Sequence, residues 1–168
     1  DATVAGAWTA AVVMPASCGG GGDLFAIGSK PGDEPITVLS SGIGTRNASL
    51  EFMREHGDDG GRVMAQQGPL SPSVPGFPAG IGELHRMYGT KSMEELTQIA
   101  VGYAANGYPV TPTLARQLES SKALLSKYPA SKATFLPNGR APQVGELLKQ
   151  SDLAKAILAI ASDGEAVF

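Results

Sequence analysis

Few side chains in this sequence have the type and spacing that chemistry demands. Cys18 is the single thiol. It could serve as a nucleophile, but no histidine stands near it in sequence to take its proton, and a small buried Cys is an ordinary core residue. His56 and His85 sit on charge-rich helical stretches without a Cys or a second His at metal-ligand spacing, so both read as solvent-exposed histidines and no metal is expected. The acidic pairs Asp58-Asp59 and Glu94-Glu95 fall in a loop and at a helix start, where solvation and the helix dipole account for them. Four consecutive glycines, 19–22, are the most unusual feature, since such a run survives mainly where φ is positive or where something approaches the backbone closely.

A phosphate cradle would place those glycines between a strand and a helix and follow them with a Lys-Ser/Thr or GxGxxG pattern. Here the order is helix, glycines, strand. Apolar residues flank the run directly on both sides, which speaks against a linker. A tight loop packed beside a site remains, and Gly20→Val or Gly21→Val is expected to damage folding or processing. Taken alone, the residues assemble no complete catalytic set.

The elements that must position these residues follow from local pattern. Residues 2–14 are Ala-rich and stop at Pro15, which predicts a helix. Residues 23–28 and 36–41 are β-prone and separated by a Pro-Gly turn, which predicts a hairpin. Asn47 is placed to cap a helix ending at Gly57. Four prolines make 68–80 extended or turning. Ile81, Leu84, Met87 and Tyr88 recur at helical spacing up to Gly89, and Ser92 with Glu95 opens the next helix in a capping-box arrangement. Asn106-Gly107 closes it. Thr111-Pro112 starts another, carrying Leu114, Leu118, Leu124 and Leu125 and ending by Pro129. Ser151 is expected to cap a last helix with Leu153, Ile157 and Ile160 on its apolar face. A hairpin of two strands is marginal alone, so the sheet is expected to need an external partner.

Bulk properties narrow the classes of function. A chain of 168 residues with 42% hydrophobic content can bury a core as one domain or one piece of a larger one. The net charge of −3, without a basic stripe, excludes nucleic acid as the expected partner. The uncharged stretch 4–18 is short for a membrane span and rich in Ala, so a buried helix is expected there and no membrane partner. A single Cys excludes an internal disulfide. No secretory signal is visible, which leaves the compartment open.

Several segments taken together resemble a known family: glycines 19–22 after the Ala-rich helix; Val74-Pro75-Gly76 with Gly80; Tyr88-Gly89; Asn106-Gly107-Tyr108-Pro109-Val110; and Gly145-Glu146-Leu147-Leu148 followed by Asp152-Leu153-Ala154. Over nearly its whole length the chain resembles the large subunit of the gamma-glutamyltranspeptidase family. That resemblance implies an α/β (α+β) four-layer αββα fold of the N-terminal nucleophile hydrolase kind, this chain contributing the mostly helical part and a β-hairpin. It implies a precursor that cleaves itself, a nucleophilic Thr at the start of a separate small subunit, and no cofactor. The catalytic residues are then expected in the partner, with none in this chain. Relative to the family the chain looks shortened at both ends.

One departure bears on the small-molecule substrate. Where the family usually shows Asp-Gly-Arg-Glu-x-Ala-Pro, this chain has Ser41-Gly42-Ile43-Gly44-Thr45-Arg46-Asn47. The ungapped register keeps Gly42 and places Ile43 at the arginine that, by resemblance, contacts the substrate α-carboxylate, a bidentate pairing Ile does not replace. Gly42, Ile43, Gly44 and Arg46 are therefore the expected substrate-binding residues, with Arg46 either taking over the carboxylate or facing solvent. Loss of the arginine suits branches resembling cephalosporin acylases, oxamic acid hydrolases, or enzymes that remove an oxalyl-type unit by carbon–carbon cleavage in making alkylproline antibiotic building blocks. A true γ-glutamyltransferase and a catalytically dead scaffold module are the alternatives.

Overall fold

In the computed structural model, which describes residues 1–164, the chain divides into two units. The first joins Asp1–Gly19 to the chain from Leu84 onward, and the second is Gly20–Glu83. Helices α1 (Ala2–Val13), α4 (Met93–Asn106) and α8 (Ser151–Asp163) form the centre of the first unit, with α4 contacting both of the others. Val4, Trp8, Ala11 and Val12 recur at helical spacing along α1 and are buried. Across from them α4 presents Leu96, Thr97, Ala100 and Ala104. Alanines let helix backbones approach closely, and larger side chains fill the space between, Trp8 and Ile157 being fully buried. Each such side chain contributes on the order of 2 kcal/mol by leaving water.

The ends of these helices are built locally. Ser92 caps α4 by accepting from Glu95 N–H, as the spacing predicts, but the Glu95 side chain pairs with Lys91 instead of returning to Ser92, so the capping box is half made. Asp1 stands at the N-cap of α1 and its carboxylate accepts from Thr90 N–H at 2.9 Å and from the Thr90 hydroxyl. Gly107 ends α4 at φ 95°. From there β3 (Tyr108–Pro109) pairs antiparallel with β4 (Leu147–Leu148), and Val110 exchanges backbone hydrogen bonds with Gly145 and Glu146. The two sequence motifs at 106–110 and 145–148 are thus the two sides of one small ladder. Arg140 and Glu146 close the loop before it through a bidentate pair at 2.8 and 2.7 Å.

Some expectations are corrected. The single helix expected between Thr111 and Pro129 is two, α5 (Pro112–Ser120) and α6 (Lys122–Leu125), and a further helix, α7 (Pro129–Phe135), follows where an end was expected. Pro129, expected to mark an end, occupies the first turn of a new helix, where its missing N–H costs nothing. Ser151 does not cap α8. Gln150 holds that position, and its buried side chain donates to Val12 C=O at 2.7 Å and to the Tyr108 hydroxyl at 3.3 Å. Residues 165–168, the end of the last family-like segment, lie outside the described residues.

In the second unit β1 (Leu24–Gly28) and β2 (Ile36–Ser40) pair antiparallel from Leu24 opposite Ser40 to Gly28 opposite Ile36. Alternation sends Phe25, Ile27 and Leu39 to one face, where they are 67%, 76% and 74% exposed. Helix α2 (Leu50–His56) is capped by Ser49, not Asn47: the Ser49 hydroxyl accepts from Phe52 N–H at 3.1 Å. Helix α3 (Phe77–Tyr88) begins four residues before Ile81, inside the stretch 68–80 expected to be extended or turning, because Pro78 falls in its first turn, where a missing N–H is tolerated. The fold is mixed α and β and mostly helical, as the resemblance implies. No helix among the described residues is long and apolar enough to cross a membrane.

Candidate functional site

Three segments distant in sequence meet at the open end of the β1–β2 hairpin. The first is the end of the glycine run with Asp23, the second is Ser40 to Ile43, and the third is Val74 to Phe77. Gly22 C=O accepts from both Gly76 N–H at 3.1 Å and Phe77 N–H at 2.8 Å, satisfying two donors that the start of α3 would otherwise leave unpaired. The Ser40 hydroxyl donates to Gly76 C=O at 2.7 Å. Val74 N–H donates to Ile43 C=O at 3.0 Å. Asp23 completes the junction: its Oδ1 accepts from Gly42 N–H at 2.9 Å and its Oδ2 from the Ser41 hydroxyl at 3.2 Å.

The glycines that this junction requires are not those of the run. A Cβ on Gly42 would overlap the Val74 carbonyl, and one on Gly76 would overlap the Ser40 carbonyl. A Cβ on Gly80 would meet Leu24 Cδ2 at 2.6 Å and Ser40 Cβ at 2.7 Å. None of glycines 19–22 has positive φ, and a Cβ on Gly19 or Gly21 meets nothing within 4 Å. The close-approach reading of the run is therefore corrected for Gly19 and Gly21. Gly20 is buried, and Gly22 contributes its carbonyl to the junction.

Of the expected site residues, Gly42 is fixed at the junction. Ile43 projects from it, 75% exposed. Gly44 has open space around it and, with Thr45, lines a cavity of about 160 Å³ whose far walls include Ala48, Phe52, Met53 and Met64 from the α2 region and Leu70 from the proline-rich loop. Arg46 is exposed and makes no ion pair among the described residues. The sequence reading missed Asp23, Ser40 and Ser41. A carboxylate directly after a glycine run, and two hydroxyls directly before Gly42, were the signals available, because short polar side chains readily bond nearby backbone.

Other candidates are structural. Cys18 is exposed, not the buried core thiol expected; its thiol weakly contacts Met14 C=O, and desolvation pushes its pKa up, away from the thiolate a nucleophile needs. His56 is exposed and its Nδ1 pairs with Phe52 C=O at 3.0 Å. His85 is half-buried instead of solvent-facing, with Nε2 at 2.7 Å from Lys91 C=O, because it packs against the turn at Gly89. No group of three His, Cys, Asp or Glu that could hold a metal occurs among the described residues.

A family model described as Gamma-glutamyltranspeptidase matches residues 1–168. Among curated proteins the chain is similar to the oxamate amidohydrolase proenzyme of Klebsiella pneumoniae, with 33% identity, covering 98% of this chain and 31% of that protein. Among solved structures it is similar to a cephalosporin acylase from Bacillus halodurans, with a TM-score of 0.90 and 31% identity over 99% of this chain and 32% of the other. It is likewise similar to gamma-glutamyltranspeptidase from Helicobacter pylori, with a TM-score of 0.87 and 30% identity over 97% of this chain and 47% of the other. The chain spans less than a third of the length of the curated relatives it matches.

Proposed function

This chain belongs to the gamma-glutamyltranspeptidase family, and we propose that it is the large-subunit part of an N-terminal nucleophile acyl hydrolase or acyltransferase whose acyl group is not a plain γ-glutamyl unit. The observation that carries the specificity is the side chain beside the fixed point of the Gly42–Arg46 loop. Gly42 has no room for a side chain and is tied to Asp23, so the register that puts Ile43 where the family resemblance expects an arginine rests on a sterically constrained residue. Ile43 offers a substrate carboxylate no charge and no donor.

In this reading a small subunit cut from the same precursor supplies an N-terminal Thr. Its hydroxyl adds to the substrate carbonyl while its own α-amine takes the hydroxyl proton, and backbone N–H groups hold the oxyanion. Collapse expels the leaving group with that proton, and water or an acceptor amine then takes the acyl unit from the Thr oxygen. The exposed Phe25, Ile27 and Leu39 face supports a partner, since an apolar sheet face of this kind is otherwise left in water. The cavity beside Gly44 and Thr45 is small and mostly apolar in its lining, which favours a short acyl unit. The likeness to an oxamate amidohydrolase and a cephalosporin acylase supports the same class. The sharpest form is removal of an oxalyl-type unit by carbon–carbon cleavage in the making of alkylproline antibiotic building blocks.

A second reading, γ-glutamyl transfer, has one observation in its favour: Arg46, three residues after Ile43, is exposed and forms no ion pair among the described residues. The kcat/KM of a γ-glutamyl anilide and an oxalyl anilide, in the native processed enzyme and in its Ile43→Arg and Arg46→Ala variants, separates the two. A missing bidentate charge-assisted contact costs roughly 2 to 4 kcal/mol, or about thirty-fold to a thousand-fold in rate. The expected result is poor native turnover of the γ-glutamyl anilide, raised in Ile43→Arg and indifferent to Arg46→Ala. Efficient native turnover abolished by Arg46→Ala establishes the second reading.

A further inference from the structure

We propose that Asp23 is a positioning residue that sets substrate preference by holding the Gly42–Arg46 loop; this rests on that loop being the substrate-binding loop of the proposed function. Both oxygens of one carboxylate are used on two consecutive residues, Oδ2 on the Ser41 hydroxyl at 3.2 Å and Oδ1 on Gly42 N–H at 2.9 Å. Hydrogen bonds to an ionised acceptor are the stronger kind. The peptide link between Ser41 and Gly42 is therefore held on one side by Asp23. On the other side Val74 N–H holds Ile43 C=O at 3.0 Å, and the Val74 carbonyl fills the place a Gly42 side chain would need. With its backbone bracketed from both ends, Ile43 has little freedom to turn its side chain elsewhere, although that side chain is 75% exposed and no packing fixes it.

Asp23 is itself exposed and lies at the junction of the glycine run and β1, so the hydrophobic core does not require it there. A short carboxylate suits this role. It stands directly before Leu24, the residue that pairs with Ser40, and from there it reaches past the end of the ladder to the next two residues of the opposite chain segment. Removing it leaves the hairpin intact and frees the loop that follows. Substrate would then bear the cost of ordering the loop on binding, which raises KM more than it lowers kcat.

The test uses the complete processed enzyme with Asp23→Ala, Asp23→Asn and Ser41→Ala, each assayed on whichever acyl anilide the native enzyme turns over best. Asp23→Ala is expected to raise KM about tenfold, with a smaller loss in kcat and a narrowed preference between oxalyl and γ-glutamyl anilides. Asp23→Asn keeps an acceptor for Gly42 N–H and is expected to recover most of the native KM. Ser41→Ala removes only the Oδ2 bond and is expected to raise KM about twofold to threefold. Unchanged KM and preference in a correctly processed Asp23→Ala enzyme overturn the proposal, as does a loss confined to melting temperature. Should Asp23→Ala fail to process, the proposal stands or falls on Ser41→Ala, an unchanged KM there overturning it. A native preference for the γ-glutamyl anilide overturns the substrate class proposed above while leaving this comparison intact, because KM is then read on that anilide.

Discussion

Gly42 and Gly21 look alike in sequence, each beside another glycine or one residue from it, yet their surroundings differ completely. Gly42 lies against the Val74 carbonyl, whereas Gly21 faces open space with ordinary φ. Gly42→Ala is expected to cost about 1 to 3 kcal/mol through forced displacement of backbone. Gly21→Ala is expected to stay within about 0.5 kcal/mol. Thermal denaturation of the two variants in the processed protein checks the contrast, and equal effects would refute the assignment of close approach to Gly42. Gly22 offers its carbonyl to two N–H groups at the start of α3, a role any residue could fill, and Gly20 is buried. Nothing in the structure explains Gly19 or Gly21.

At the scale of elements, caps and the buried Gln150 carry the local specification. Thr111 caps α5 by accepting from Leu114 N–H at 3.2 Å, so Thr111→Ala is expected to cost about 1 kcal/mol. Gln150→Ala strands Val12 C=O and the Tyr108 hydroxyl in a buried setting and is expected to cost about 2 to 3 kcal/mol, readable as a lower denaturant midpoint. The hairpin was legible from its Pro-Gly turn, α1 from its Ala content and Pro15, α4 from Ser92 and Asn106-Gly107, and α8 and the part of α3 from Ile81 onward from their apolar spacing. Three things were not. The β3–β4 ladder is two residues long and contains Pro109, too short for any period to register. The break between α5 and α6 falls at Ser120-Ser121, among residues that are compatible with helix, whereas the break before α7 was signalled by Pro129. Gln150 reads as a polar residue before a helix, and only the fold brings Val12 and Tyr108 to it. At the candidate site, the Gly42–Arg46 loop was singled out through family resemblance, whereas Asp23, Ser40 and Ser41 act across 18 to 36 residues of chain, a separation no local pattern reports.

For the whole molecule, two consequences extend beyond single elements. Burial pushes the Tyr108 phenol up to about 12. A folded-state pKa above the unfolded value leaves stability whole below about pH 10 and drains it as pH rises toward about 12. Absorbance titration is expected to show a tyrosinate phase near 12 that Tyr108→Phe removes, and its absence from the native protein would contradict that burial. The second consequence concerns completeness. The face of β1 and β2 carrying Phe25, Ile27 and Leu39 is exposed in this chain. That exposure follows if this chain is one part of a self-cleaved acyl-transfer enzyme whose other part covers the face. Intact-mass spectrometry with N-terminal sequencing of every chain in the purified native protein tests that claim most directly. A second polypeptide that begins with Thr is predicted to accompany this one in equal amount; an active protein whose chains include none beginning with Thr would contradict it.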